Sequence, residues 1–268
     1  MQGICPTIAA VAVFAALVAA QPAGNRFAPS AGEPAPAEAH TQMPVAASST
    51  PPPLTTEARG DIYMARKMYR EAAEMYLQGP RDSAITWNKV GIAFHQMQNL
   101  DSARRNYEKA VKLNPKYSEA INNLGTFWYA RKNFKRAIAL YRKALEVAPK
   151  SASIYSNLGT AYFARKRYKE AIETYQIALQ LDPEVFEHRS SAGVLLQERS
   201  VQERAKFSYY MAKTYAKAGQ TERALQYIRK SLEEGFKDKS KFMEDEDFAS
   251  IRPLPEFDQL MKLEPRVL

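Results

Sequence analysis

The side chains that most often carry enzyme chemistry are few and far apart in this sequence. The three histidines are His40, His95 and His188, and the one cysteine is Cys5. The histidines have no metal-ligand spacing, and the sequence has neither a serine-nucleophile motif nor a glycine-rich phosphate loop. A single cysteine also excludes an intrachain disulfide and a thiolate zinc site. The sequence therefore predicts no catalysis, no cofactor and no metal, and its polar residues point to recognition instead.

The cations that could recognise an anion are concentrated in the middle of the chain. The net charge is +9, and residues 84–185 hold 17 Lys and Arg against eight Asp and Glu. Two short clusters, which we call the basic edge, comprise Arg131, Lys132, Lys135, Arg136, Arg165, Lys166, Arg167 and Lys169. Such an edge could dock an acidic protein, an anionic polymer or membrane headgroups. Alternatively, it is a solvated surface that keeps the protein soluble.

These clusters recur because a 34-residue period orders the central part of the chain. Five kinds of position repeat three times: Gly91, Gly125 and Gly159; Ala103, Ala137 and Ala171; Tyr107, Tyr141 and Tyr175; Ala110, Ala144 and Ala178; and Pro115, Pro149 and Pro183. Within a copy, Trp87, Val90 and Phe94 have the spacing of one helix face. Proline cannot continue a helix and ends each copy. Each copy therefore predicts a pair of helices, with the basic clusters at the turn between the two.

The repeated glycine lies in the middle of the first predicted helix. Glycine there destabilises a helix by about 1 kcal/mol relative to alanine, so its recurrence indicates a compensating gain. We expect the glycine to let the facing helix approach closely, with the repeated alanines doing the same on that helix. One helical hairpin cannot bury its own apolar stripe, whereas several stacked hairpins share a continuous core.

Together, these residues closely resemble the tetratricopeptide repeat family. The resemblance is specific for 84–117, 118–151 and 152–185, and two weaker copies cover 57–83 and 205–234, the latter with Ala212 in place of the glycine. It implies an all-α fold, a right-handed superhelical solenoid of antiparallel helix pairs.

Two segments depart from the period. Residues 186–204 contain Val194, Leu195 and Leu196 followed by a polar run, which predicts one additional helix. Residues 235–268 begin with an acidic cluster and continue with spaced apolar residues. Since repeat arrays need a terminal unit to cover the last apolar face, this segment predicts a C-terminal helical cap.

The resemblance also implies a groove lined by the first helix of each repeat. Carried over by position, its partner-binding residues are Asn88, Lys89, His95, Asn122, Asn123, Tyr129, Asn157 and Phe163. An asparagine amide both donates and accepts, so these side chains could hold the backbone of an extended peptide. A purely structural role for the asparagines is the alternative. The family's carboxylate-clamp pattern is largely absent, because Ile92, Ser153 and Asn157 occupy the positions where it needs Asn, Lys and Arg.

The N-terminal region differs in composition from the repeats. Ile8 to Ala20 is an uncharged apolar run, too short to span a bilayer but typical of a signal peptide over 1–20. Residues 21–56 are rich in Pro and Ala and predict a disordered linker. We therefore expect an exported protein, periplasmic or secreted, with no transmembrane span in its mature chain.

Taken together, the sequence predicts a non-catalytic scaffold for protein–protein interaction in the cell envelope, with a peptide or a partner helix held in the groove. The alternative is a binder of an anionic polymer or lipid surface through the basic edge. Nucleic acid is not expected as a partner, since the sequence has no nucleic-acid-binding motif.

Overall fold

A computed structural model describes residues 53–186 and 200–263. The predicted signal peptide, most of the linker, and the segment around Leu195 lie outside the described residues. The described ranges are helical and contain no strand, as the sequence predicts. Within them, no helix combines the length and the apolar character that crossing a membrane requires.

The described residues form five stacked hairpins, each made of two packed helices. They are α1 Thr56–Ala65 with α2 Tyr69–Leu77, α3 Ala84–Gln96 with α4 Leu100–Leu113, α5 Ser118–Ala130 with α6 Phe134–Val147, α7 Ala152–Ala164 with α8 Tyr168–Leu181, and α9 Val201–Lys217 with α10 Thr221–Glu233. The second helix of each hairpin also packs against the first helix of the next. The predicted stack of helix pairs is therefore present.

The glycine at the centre of a first helix makes room for a tyrosine ring. A Cβ added to Gly125 would lie 2.6 Å from the ring of Tyr141, which is fully buried on the partner helix. Gly91 and Gly159 face Tyr107 and Tyr175 in the same way, as Gly60 faces Tyr76 in the first hairpin. The expected close approach is thus made by a tyrosine side chain, and the glycine and tyrosine of each copy form one packing unit.

The turn inside each hairpin has one conformation throughout. Its middle residue has a positive φ: 60° at Lys67 and Gln98, 59° at Lys132, 62° at Lys166 and 71° at Gly219. The amide of the following residue then donates to a carbonyl five residues earlier, as Asn133 does to Trp128 at 2.8 Å. This arrangement is a Schellman motif, which ends one helix and reverses the chain.

Helix α9 begins at Val201, four residues before the predicted repeat boundary. The side chain of Ser200 accepts a hydrogen bond from the Glu203 amide, and the Glu203 side chain accepts from the Ser200 amide. This capping box starts the helix inside the polar run of the sequence. The end of that run is therefore the first turn of α9.

Different residue types close the two ends of the stack. Arg59, which is exposed on α1, occupies the position of the buried Val90 and Leu124 in later hairpins. At the other end, the chain continues through α11 Ser240–Glu244, a 3-10 turn Glu246–Phe248 and α12 Pro255–Met261. Their apolar side chains Phe242, Phe248, Ile251 and Phe257 are fully buried, so this segment is the C-terminal helical cap.

Candidate functional site

The first helices of successive hairpins share a face, which we call the groove face. In α5 it comprises Asn122, Asn123, Thr126 and Tyr129, at the positions −3, −2, +1 and +4 from Gly125. Residues with these spacings lie on one side of a helix. The same offsets give Asn88, Lys89, Ile92 and His95 on α3, and Ser156, Asn157, Thr160 and Phe163 on α7.

A ladder of asparagine amides joins the neighbouring first helices. The Asn123 amide donates to the Asn88 Oδ1 at 2.9 Å, and the Asn157 amide donates to the Asn122 Oδ1 at 3.0 Å. These four side chains are only 1 to 6% exposed. Burying an amide is costly unless it is hydrogen-bonded, and here each bond crosses from one helix to the next. The structural alternative is therefore favoured for Asn88, Asn122, Asn123 and Asn157.

Groove-face side chains also accept hydrogen bonds from the packed tyrosines. The Tyr141 and Tyr175 hydroxyls donate to the Oγ1 atoms of Thr126 and Thr160, at 3.2 and 3.1 Å. Ile92 occupies this position on α3, and there the Tyr107 hydroxyl lies 3.4 Å from the His95 Nδ1 instead. The predicted groove residue His95 thus has a structural partner.

The electrostatic environment of His95 favours the uncharged form of its ring. Burial lowers the pKa of His95, because desolvation disfavours the charged imidazolium. Its ring is therefore neutral at neutral pH, and a hydroxyl is its one hydrogen-bond partner among the described residues.

Lys89 joins the first two hairpins through ion pairs. Its Nζ lies 2.7 Å from a carboxylate oxygen of Glu57 and 2.7 Å from one of Asp61, both on α1. Burial alone would lower the pKa of Lys89, but the hydrogen bonds to the two carboxylates outweigh it and raise the pKa. Lys89 is therefore engaged within the chain.

The two aromatic residues predicted for the groove face have different surroundings. Phe163 is 6% exposed and packs edge-on against Tyr168, Phe207 and Tyr210, so it is a core residue and the predicted contact role is not supported by its burial. Tyr129 is partly exposed and packs beside the Phe134 ring at 5.2 Å. The accessible part of the groove face therefore includes Tyr129, Thr126 and Ser156, and on α3 Lys89, Ile92 and His95 are partly exposed as well.

Sequence reasoning missed the contribution of the fifth hairpin to this face. Counting from Ala212, the same offsets place Tyr209, Tyr210 and Lys213 on it. The Tyr209 hydroxyl donates to Asp245 at 2.7 Å, and the Lys213 Nζ lies 2.5 Å from the same carboxylate. The alignment of Ala212 with the repeated glycines was the signal in the sequence that could have identified these residues.

The acidic cluster of the cap thus covers the groove face of α9. Burial would raise the pKa of Asp245, but hydrogen bonds from Lys213 and Tyr209 outweigh it and lower the pKa. Asp247 pairs with Lys213 and with Lys217, at 3.1 Å each. The cluster is therefore an internal ion-pair network that fixes the cap.

The basic edge lies where the sequence places it, with one difference. Arg131, Lys132, Arg165, Lys166 and Arg167 occupy the turns, whereas Lys135 and Arg136 lie in the first turn of α6 and Lys169 in the first turn of α8. The Schellman turn takes only three residues, so the second helix starts earlier than the charge pattern indicates.

All eight side chains of the basic edge are exposed. Arg131 pairs with Asp101 at 2.7 Å, Arg167 pairs with Glu170, and the Arg136 guanidinium lies 3.8 Å from the centre of the Trp128 ring. Among the described residues, no carboxylate pairs with the other five cations: Lys132, Lys135, Arg165, Lys166 and Lys169.

Within 53–186 and 200–263, no three His, Cys, Asp or Glu side chains come together in a group that could hold a metal ion. His40, His188 and Cys5 lie outside these ranges.

Comparisons with known proteins identify the repeat. The model of the tetratricopeptide repeat family matches residues 91–152 and 129–185. A crystal structure of MamA is 20% identical and covers 68% of this chain and 96% of that chain, with a TM-score of 0.45. MamA from Desulfovibrio magneticus RS-1 is also 20% identical and covers 71% of this chain and 95% of that chain, with a TM-score of 0.46. No curated protein matches the sequence.

Proposed function

Because residues 91–185 of this chain are tetratricopeptide repeats, we propose that the protein is a non-catalytic scaffold that holds a partner polypeptide on its groove face in the cell envelope. The repeat fold supports a role in protein–protein interaction. The groove face as the binding surface, and the envelope as the location, are the specific parts of the proposal.

One observation supports the groove face above other surfaces. The asparagine ladder fixes three first helices side by side, through Asn88 with Asn123 and Asn122 with Asn157. A face whose helices are already fixed loses little conformational freedom when a partner binds, which favours affinity. The partly exposed Tyr129 supplies an aromatic contact of the kind that dominates many interfaces.

A crosslinking pulldown from an envelope extract tests the groove face. Ser156→Arg places a bulky cation on this face, at a residue whose side chain has no hydrogen bond among the described residues. Ala139→Arg makes the same change at an exposed position of α6 and serves as the matched control. We expect Ser156→Arg to lose the captured partner at high salt and Ala139→Arg to retain it. Equal capture by both variants would contradict the proposal.

The envelope location rests on the apolar run from Ile8 to Ala20. We expect N-terminal sequencing of the native protein to find a chain that begins near Gln21. A cytoplasmic protein that retains Met1 would contradict export.

A second candidate function is the binding of an anionic polymer or lipid surface through the basic edge. The observation that favours it is the exposure of all eight cations. Binding of this kind weakens steeply as salt rises, whereas apolar capture in the groove does not, so a salt titration separates the two.

A further inference from the structure

The cations of the basic edge occupy equivalent places in two successive hairpins. Arg131 and Arg165 each end a first helix, and Lys132 and Lys166 each take the left-handed position of the turn. Lys135 and Lys169 then lie in the first turns of α6 and α8. Since stacked hairpins repeat this arrangement, the cations form parallel rows across two neighbouring turns.

The backbone at this edge adds to the positive charge of the side chains. The N-terminus of a helix carries a partial positive charge, which acidic residues in the first turn normally offset. The first turns of α4 and α8 contain Asp101 and Glu170, whereas the first turn of α6 contains no acidic residue. The positive potential of the edge is therefore least offset at the start of α6.

Lys132 and Lys166 also lie at turn positions whose positive φ suits glycine better than lysine. A residue with a side chain is disfavoured at positive φ, and Gly219 makes the same turn in the fifth hairpin. Lys132 and Lys166 are thus not required by the turn itself, since Gly219 and the uncharged Gln98 make the same turn.

Two cations of this edge already pair with carboxylates, Arg131 with Asp101 and Arg167 with Glu170. Among the described residues, no fully exposed large apolar side chain comes from 131–136 or 165–169, and Phe134 and Tyr168 are only partly exposed, so the edge offers little to insert into a bilayer. These two observations favour carboxylates carried by a polypeptide over a lipid surface.

We propose that the basic edge is a second interaction surface, separate from the groove face, that binds an acidic segment of a polypeptide. Packed helices lie about 8–10 Å apart. An extended chain covers that distance in about three residues. Carboxylates spaced at about this interval along the segment would reach Lys132 of one hairpin and Lys166 of the next.

Fluorescence anisotropy with labelled poly-L-glutamate tests this site on the full chain. The test variant is Lys132→Gln/Lys166→Gln. Glutamine fits this turn position, because Gln98 already occupies it in the second hairpin with the same positive φ. The control is Lys116→Gln/Lys150→Gln, which removes two exposed lysines, also 34 residues apart, from the turns at the opposite ends of the helices. We expect the test variant to weaken binding about tenfold and the control less than about twofold, with a reduced salt dependence in the test variant only.

Equal weakening by the two pairs would show that net charge alone binds the probe, and would overturn the proposal. Binding to phosphatidylglycerol vesicles without binding to poly-L-glutamate would do the same, because the occupant would then be a lipid surface. The Ser156→Arg variant distinguishes this site from the groove face. It should leave polyglutamate binding unchanged, and a clear change in affinity in either direction would assign the probe to the groove face instead.

Discussion

Each glycine that recurs every 34 residues is paired with one tyrosine. At an open helical position, replacing glycine by alanine stabilises the protein by up to about 1 kcal/mol. At Gly125 the added Cβ would lie 2.6 Å from the ring of Tyr141, which is fully buried and whose hydroxyl donates to Thr126. We expect Gly125→Ala to lower the free energy of unfolding by about 1–3 kcal/mol, measured by urea denaturation.

A second background tests the cause of that loss. With Tyr141→Leu already in place, the ring is gone, and Gly125→Ala should cost clearly less than it does alone. If Gly125→Ala stabilises the protein in both backgrounds, the contact with the Tyr141 ring is not the reason for a glycine at this position.

The asparagine ladder gives a second prediction for single residues. Asn123→Ala removes the donor to the Asn88 Oδ1 and leaves that buried acceptor unsatisfied. The free energy of unfolding should fall by about 1–3 kcal/mol. Gln180→Ala, which removes an exposed amide from α8, is the control and should change it by less than about 0.5 kcal/mol. Thermal melting of the two variants checks this, and equal melting temperatures would contradict the structural role.

The sequence could locate these asparagines but not their partners. The period aligns Asn123 with Asn157, which are 34 residues apart. The hydrogen bonds instead join residues 35 apart, Asn123 with Asn88 and Asn157 with Asn122, so each bond links two different positions of the repeat. The burial of Phe163 could likewise not be predicted from the sequence, because its neighbours Phe207 and Tyr210 belong to α9, where the 34-residue period is weak.

At the scale of elements, ion pairs join the cap to α9, through Lys213 and Lys217 with Asp245 and Asp247. Hydrogen bonds from Lys213 and Tyr209 lower the pKa of Asp245 against the opposing effect of burial. A carboxyl with a lowered folded-state pKa stabilises the protein above its ordinary pKa of about 4. This stabilisation is lost as pH falls through the lowered pKa.

We therefore expect Asp245→Asn to lower the free energy of unfolding by about 1–3 kcal/mol at neutral pH. The difference from the wild type should shrink as pH falls below about 4. Denaturation curves across pH check this. Asp258→Asn, at an exposed residue of α12, is the control and should match the wild type throughout. A loss at Asp245 that is constant with pH would mean that its charge does not hold the cap.

The sequence predicted most of the elements, because helix pairs leave a period that is visible in residue types. The start of α9 could not be predicted in this way. It is set by a local capping box between Ser200 and Glu203, in a polar run that has no apolar spacing to follow. The three-residue length of the turns was missed for a similar reason. It depends on a positive φ at Lys132, and lysine is not a residue type from which a positive φ can be predicted.

On the scale of the whole molecule, the stack presents two different surfaces from one repeating unit. The first helices form the groove face, and the turns form the basic edge. Within the described residues, the exposed Arg59 lies at one end of the stack and the buried aromatic residues of the cap lie at the other. The same repetition that stabilises the fold therefore also repeats the groups that we propose to bind partners.

The central claim is that a partner polypeptide lies on the groove face. A photo-crosslinking amino acid, p-benzoylphenylalanine, in place of Tyr129 tests this in the living cell, since Tyr129 is an aromatic residue partly exposed on that face. The same substitution at Ala139, on the exposed side of α6, is the control. We predict that irradiation joins a distinct polypeptide to the chain from position 129 and not from position 139. No adduct at position 129, or equal adducts at both, would contradict the account.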